Sequence, residues 1–293
     1  MHEGPAGSGG GVRRDGSGAR AEIAAGSGIA MEFGEAARIV EGLPGPHIPM
    51  HRAQVLYRHI RQARPTDVLE LGTARGGSAV FIAAALQANR HGHLTSVDST
   101  RWQWRDPTPR QVLDGTGLSH RVTLDQSCST YTWFLKRQLE ASRDAAGSIH
   151  PVYDLIFLDG AKNWTTDGLA VLLAERLLRP GGWLLLDDLG WSYAEHADNP
   201  WHYGIEIATL ADDERAQPHL RAAFDLLIRA NPAFDRAWVQ DGWWGWARKS
   251  PHGLARWAAR AASGIWLSPV RRLRRAVRRA RATARAHPPA GIT

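Results

Sequence analysis

The 293-residue sequence predicts a doubly wound, mainly parallel α/β sheet of seven strands, the last two forming a C-terminal antiparallel hairpin. Three observations carry that expectation. Short apolar runs alternate with helical stretches from Asp67 onward, as parallel strands joined by crossover helices require. Most of the runs are apolar throughout, which suits strands covered on both faces. The final segment, "FDRAWVQDGWWGWARK" (234–249), splits around Asp241–Gly242, a dipeptide suited to a tight hairpin turn.

Taken in chain order, residues 1–30 are Gly/Ser/Ala-rich and are expected to be disordered, because they offer too little apolar surface to offset chain entropy. Residues 31–250 form the main domain. It opens with helices predicted over Glu32–Glu41 and His51–Ala63, separated by the loop "GLPGPHIP". Strands are predicted at 67–71, 93–98, 121–125, 154–159 and 182–188. Helices are predicted near Ser78–Ala88, Ser129–Ala141, Asp167–Leu178 and Pro218–Ala230. Residues 251–293 are a basic tail, helical or partly disordered, in which Val270, Leu273, Val277, Ala280 and Ala284 recur at helical spacing among arginines. Such a stripe suits packing on its own domain, a solvated extension or contact with an anionic membrane surface.

Composition narrows the function classes. The tail holds ten arginines and no acid, so the net charge of +7 leaves −3 for the rest of the chain. A mildly acidic body gives no support for a nucleic-acid-binding core. The single cysteine, Cys128, excludes an internal disulfide and a multi-cysteine metal site. No apolar run has the length of a signal peptide or a membrane span, so a cytoplasmic protein is expected. The pattern leaves oligomerisation open.

In a doubly wound sheet, ligands bind beyond the carboxyl ends of the strands. The first such end reads "ELGTARGGSA", with Glu70 followed by Gly72, Gly76 and Gly77 and then Ser78 at a helix start. Glycines allow close backbone approach, and the helix start offers free amides. This E-x-G-x-x-x-G-x-S pattern resembles the first motif of the class I S-adenosylmethionine-dependent methyltransferases, a Rossmann-like family, and the resemblance covers roughly residues 50–248. It implies that Gly72 passes against the methionine part of S-adenosylmethionine and that Glu70 and Ser78 bond its amino-acid portion, with Gly76 shaping the loop. Asp98 would accept from both ribose hydroxyls, and Ser127 and Cys128, in a loop after the third strand, would lie near the adenine.

Asp159 closes the fourth strand in "DLIFLDGAKNW", and Asp187 and Asp188 close the fifth in "LLLDDLGW". Three anions at one mouth oppose one another's ionisation, and a hard cation such as Mg²⁺ relieves the conflict. The arrangement resembles the metal-dependent O-methyltransferases of the catechol and caffeoyl-coenzyme A type, with "DGAK" for their D-x-x-K. It also resembles the macrolide-sugar type, with "DG" and "DD". The resemblance implies Asp159, Asp187 and Asp188 as Mg²⁺ ligands, Lys162 as general base, and an alcohol or sugar hydroxyl as acceptor, on a small molecule or glycoside. His196 and His202 are competing bases.

Among the thirteen tryptophans, Trp133, Trp183, Trp243, Trp244 and Trp246 are expected in core or hairpin packing, and Trp164, Trp191 and Trp201 near the acceptor mouth. Two alternatives stand beside this reading. One is a metal-independent methyltransferase of another acceptor, although an N/D-P-P-Y motif for amino-group methylation is absent. The other is a non-catalytic binding protein anchored by its tail.

Overall fold

The computed structural model describes residues 31–44, 48–99, 106–196, 201–202 and 205–252, with only the backbone described at 196 and 201–202. The expectations for the leader, for the tail beyond residue 252 and for the His196, Trp201 and His202 side chains lie outside the described residues.

Seven strands form one sheet: β1 Asp67–Leu71, β2 His93–Ser99, β3 Val122–Cys128, β4 Tyr153–Leu158, β5 Leu178–Leu186, β6 Phe234–Gln240 and β7 Trp244–Lys249. Their order is β3-β2-β1-β4-β5-β7-β6. The first five are parallel, and β7 pairs antiparallel with both β5 and β6. Asp241 and Gly242 both take positive φ (53° and 76°) at the centre of a turn in which the Trp243 amide donates to the Gln240 carbonyl, and three residues, 241–243, separate the paired Gln240 and Trp244.

The apolar runs are explained by burial on both faces. Val68, Leu155, Phe157 and Leu185 point to one layer, containing helices α1 (Phe33–Glu41), α2 (Met50–Ala63) and α3 (Gly77–Asn89). Their chain neighbours Leu69, Ile156, Leu158, Leu184 and Leu186 point to the other, with α5 (Tyr131–Ala141) and α6 (Trp164–Leu177). Between these layers in sequence lies α4 (Pro109–Thr116). Apolar periodicity does not mark it, although Thr108 and Gln111 form a reciprocal cap around a proline at the helix start.

Several boundaries differ from expectation. Strand β3 runs on to Cys128, so Ser127 and Cys128 lie within a strand and not in the following loop. β4 ends at Leu158 and β5 at Leu186, leaving all three acids just past the strand ends. β5 also begins earlier, at Leu178, through a register shift around Gly181 and Gly182. A Cβ on Gly182 would lie 2.9 Å from both the Arg179 and Asp154 carbonyl oxygens. Short helices α7 (Asp212–Ala216) and α8 (His219–Ala223) follow. The helix predicted over 218–230 changes to π-helical geometry at Phe224–Arg229.

Trp244 and Trp246 are buried, and Trp183 packs edge-on to Trp246 and Trp238. Trp243 lies under the Arg52 guanidinium, 5.4 Å from the ring centre. Trp133 corrects the packing expectation, since it is 55% exposed on α5.

Candidate active site

The carboxyl ends of β1 and β2 build one half of the site. Glu70 is fully buried on β1, where the Ser96 hydroxyl of β2 donates to its Oε2. Ser96 has one proton to give, so it receives the Thr73 hydroxyl at 2.6 Å, and a Thr73–Ser96–Glu70 relay results. Burial pushes the Glu70 carboxyl up to about 8, while the Ser78 and Ser96 hydroxyls pull the other way. Its Oε1 is buried without a donor in full hydrogen-bond geometry. A buried carboxyl with a spare acceptor oxygen is well suited to a cationic ligand group.

The glycine loop leaves β1 through Gly72, whose φ is 110° and whose N–H bonds the Val97 carbonyl at 2.8 Å. A Cβ there would lie 2.0 Å from the Asp159 carbonyl oxygen. Glycine is therefore demanded by a backbone contact between two strand ends, whatever else passes over it. Gly76, at φ 88°, precedes the first turn of α3, where Ser78 is buried.

Asp98, at the end of β2, is 3% exposed and accepts from the Ala74 amide at 2.8 Å and the Ser99 amide at 2.7 Å. One carboxylate thus holds the glycine loop. It lines a small cavity of about 60 Å³ with Ser99, Ser129, Thr130, Tyr131, Ala161 and Thr166. Ser127 and Cys128 are not among these. Ser127 is exposed and bonded to Asp125 and Arg137, and Cys128 is buried, paired in register with Ser99. The polar residues beside Asp98 are Ser129 and Thr130, one step further along the chain.

The ends of β4 and β5 build the other half. Asp159 and Asp187 are tied to their neighbours by backbone bonds from Asp159 N–H to Leu71 O (2.9 Å) and from Asp187 N–H to Leu158 O (3.0 Å). Lys162 Nζ contacts Asp159 Oδ1 at 3.2 Å and also binds Asp188 Oδ2. Both Lys162 and Asp188 adopt left-handed backbone (φ 59° and 58°). Arg52, reaching over from α2, lies 3.5 Å from Asp187 Oδ1, an ion pair 135 residues apart in sequence. Burial raises the Asp159 and Asp187 carboxyls above the ordinary range, and the neighbouring Asp188 charge adds to both shifts. Burial alone would lower Lys162, but the Asp159 and Asp188 carboxylates outweigh it and hold the ammonium protonated.

The loop carrying Lys162 is pinned on both sides. The Ala161 amide donates to the Tyr131 hydroxyl at 2.8 Å, which itself donates to the buried Asp167. Asp167 also accepts from the Asn163 amide at 3.1 Å, and Asn163 caps α6 by accepting from Thr166 N–H at 2.7 Å. Gly160 leaves room for this bracing, since a Cβ there would lie 2.4 Å from the Tyr131 hydroxyl.

The three acids that the sequence grouped are therefore brought to one mouth. Hard carboxylate oxygens that oppose one another's ionisation match Mg²⁺ in chemistry. In this structure they are closed on Lys162 and Arg52, and among the described residues no group of three acidic, histidine or cysteine side chains is disposed to hold a metal ion. Trp164 is 40% exposed at the start of α6, whereas Trp191 is buried against Tyr193 and Ile207.

The strand order and the layout of the strand ends define a class I S-adenosylmethionine-dependent methyltransferase fold. Residues 69–189 match the family model described as a methyltransferase domain, and this part of the chain is such a domain. An O-methyltransferase from Bacillus cereus, solved with S-adenosylhomocysteine, superposes with a TM-score of 0.52 at 18% identity, covering 78% of this chain and 94% of that one. The S-adenosylhomocysteine-bound methyltransferase PaMTH1 of Podospora anserina gives 0.52 at 17% identity, over 74% and 87%. At such identities the likeness concerns the fold. No curated protein matches the chain. The chain thus carries a class I methyltransferase fold, with residues 69–189 similar to the methyltransferase-domain family, and among the described residues no helix is long and apolar enough to cross a membrane.

Proposed function

We propose that the enzyme transfers the methyl group of S-adenosylmethionine to a hydroxyl oxygen of a small molecule or glycoside, with Mg²⁺ assisting. The supporting observation is the cluster of Asp159, Asp187, Asp188 and Lys162, which abuts the glycine loop through the Gly72–Asp159 backbone contact. In this reading Glu70 receives the α-ammonium of the cofactor, and Ser78 and the amides around Gly76 receive its carboxylate. Asp98 accepts from the ribose hydroxyls. The adenine lies toward Ser129 and Thr130, with Cys128 behind them.

The acceptor oxygen forms its bond to the methyl carbon as the carbon–sulfur bond breaks, the electron pair going to sulfur and the hydroxyl proton passing to water at the mouth of the site. Holding the three atoms in line supplies up to roughly 7–11 kcal/mol in favourable cases. Lys162, held protonated by Asp159 and Asp188, acts first as a fixed positive charge beside the developing alkoxide. It becomes a base only when those carboxylates are drawn away from it. Asp159, Asp187 and Asp188 would hold Mg²⁺, which when bound lowers the pKa of a coordinated hydroxyl. The closure of Lys162 and Arg52 on the same acids favours, as the second reading, a transfer that uses these cations alone.

Calorimetric titration with S-adenosylmethionine, with and without Mg²⁺, tests the cofactor half. Mass spectrometry of a panel of phenols, alcohols and glycosides incubated with the enzyme and S-adenosylmethionine tests the acceptor half. A gain of 14 mass units on hydroxyl acceptors is expected, whereas failure to bind S-adenosylmethionine at all overturns the proposal.

A further inference from the structure

The amino ends of β1, β4 and β5, at the opposite end of the sheet from the candidate active site, border a second cavity. It holds about 400 Å³, and its walls include His59, Arg64, Asp154, Gly181, Trp183 and Arg248. That volume falls within the range of small-molecule pockets. The sequence opens the space through an irregularity in β5. Between the pairs Tyr153–Leu178 and Leu155–Trp183, residues 179–182 of β5 stand opposite Asp154 of β4 alone, so the chain bulges out of the ladder. Gly181 takes a left-handed φ of 82° within that bulge.

The charge of the walls is unevenly used. Burial pushes the His59 imidazole down to about 4, so it is neutral near pH 7, and Asp154 stands against Arg64 and Arg248. Asp154 is engaged already. Its Oδ2 accepts from the Thr66 amide at 2.8 Å, the Asp67 amide at 3.0 Å and Arg179 Nη1 at 2.9 Å. The polar contacts of the two wall arginines, among the described residues, are to carbonyl and imidazole groups. Arg64 donates to the Asn89 carbonyl at 3.3 Å and meets His91 Nδ1 at 3.3 Å, while Arg248 donates through Nε to the Gly181 carbonyl at 3.5 Å. A guanidinium carries five N–H donors, so each keeps several to spare. Arg248 also lies 6.0 Å from the centre of the Trp183 ring, which backs it with an apolar surface. His59 stands edge-on to the same ring at 5.1 Å, and its Nε2 is buried without a partner.

We propose that this cavity binds a small organic anion, a carboxylate or a phosphate ester, with its charged group on Arg64 and Arg248 and its body beside Trp183. Guanidinium groups with free donors suit both anions, because their planar fork matches two oxygens at once. The site is separate from the acid cluster. Asp154 and Asp159 are five residues apart along β4, as are Gly182 and Asp187 along β5, which puts about 16 Å between the two ends. The inference is independent of the reaction proposed above.

Isothermal titration calorimetry of the full chain with benzoate, phenyl phosphate and the neutral analogue benzamide tests it. At least one of the two anions is expected to saturate a single site, and the tighter of them tells a carboxylate ligand from a phosphate ester. Benzamide should bind at least about tenfold more weakly. Arg248→Gln and Arg64→Asn should each weaken the anion about tenfold or more. Asparagine tolerates the left-handed backbone at residue 64 (φ 50°), so this variant decides the matter even if the partly buried Arg248 proves necessary for folding. Hydrogen exchange should slow in peptides covering 60–67 and 178–184 when the anion is bound. Saturable binding of neither anion overturns the proposal. So does affinity unchanged in both variants, which moves the anion to arginines elsewhere in the chain. Displacement of the anion by S-adenosylhomocysteine also overturns it, by placing the probe in the candidate active site.

Discussion

Replacing Glu70 with Gln removes one ionisable group from the centre of the fold while keeping its shape and an acceptor for Ser96. The wild-type carboxyl is raised from an ordinary 4.5 to about 8, with burial the largest cause. The folded protein therefore binds a proton here that the unfolded chain releases between these two values. The sign follows directly: the stability contributed by the neutral acid is full below pH 4.5 and is lost as pH rises toward 8. The slope approaches 1.4 kcal/mol per pH unit, so about 2.5 kcal/mol is lost between pH 5 and 7. With a urea dependence of about 2.5 kcal/mol per molar, this moves the unfolding midpoint by about 1 M. Urea unfolding of wild type and Glu70→Gln at pH 5, 6 and 7 reads this contribution together with its smaller coupling to the Asp159 and Asp98 charges. Parallel pH profiles would refute the reasoning and place Glu70 in an ionised, solvated or fully bonded state.

Other substitutions probe the remaining parts of the site. Gly72→Ala places a carbon against the Asp159 carbonyl and should lower stability by about 3 kcal/mol or more, read as a fall in thermal midpoint. Asp98→Asn loses the charge that holds the Ala74 and Ser99 amides, and calorimetry should show S-adenosylhomocysteine binding weakened about tenfold to a hundredfold. Lys162→Met should leave S-adenosylhomocysteine affinity within about threefold while methyl transfer, followed by product formation, falls at least about a hundredfold. Removing divalent ions with EDTA should abolish turnover and spare cofactor binding, since Glu70 and Asp98 lie outside the acid cluster. Full turnover in EDTA would select the reading in which Lys162 and Arg52 act without a metal.

The strands and their acids were legible because each signal is local. An apolar run followed by an acid marks a strand end, and "DG" between aromatic runs marks a hairpin. Arg52 was not legible, because nothing at residue 52 announces a partner 135 positions away. The Thr73–Ser96 relay depends on the register between β1 and β2, which periodicity leaves open. Ser127 and Cys128 read as loop residues although they lie within the strand, because β3 runs three residues beyond its apolar pattern. Helix α4 carries a signal of a different kind, the T-P-R-Q cap, which apolar periodicity does not register. Trp133 misled in the opposite direction: its size argued for the interior, while its helical phase turns it outward.

Gly72 touches the main chain of Asp159 with no side chain between them. In the proposed function, the spacing from the sulfonium pocket to the hydroxyl pocket is therefore governed by peptide atoms, which rotamer changes do not move. Acceptor preference can drift through the surrounding side chains while the donor-to-acceptor gap stays constant.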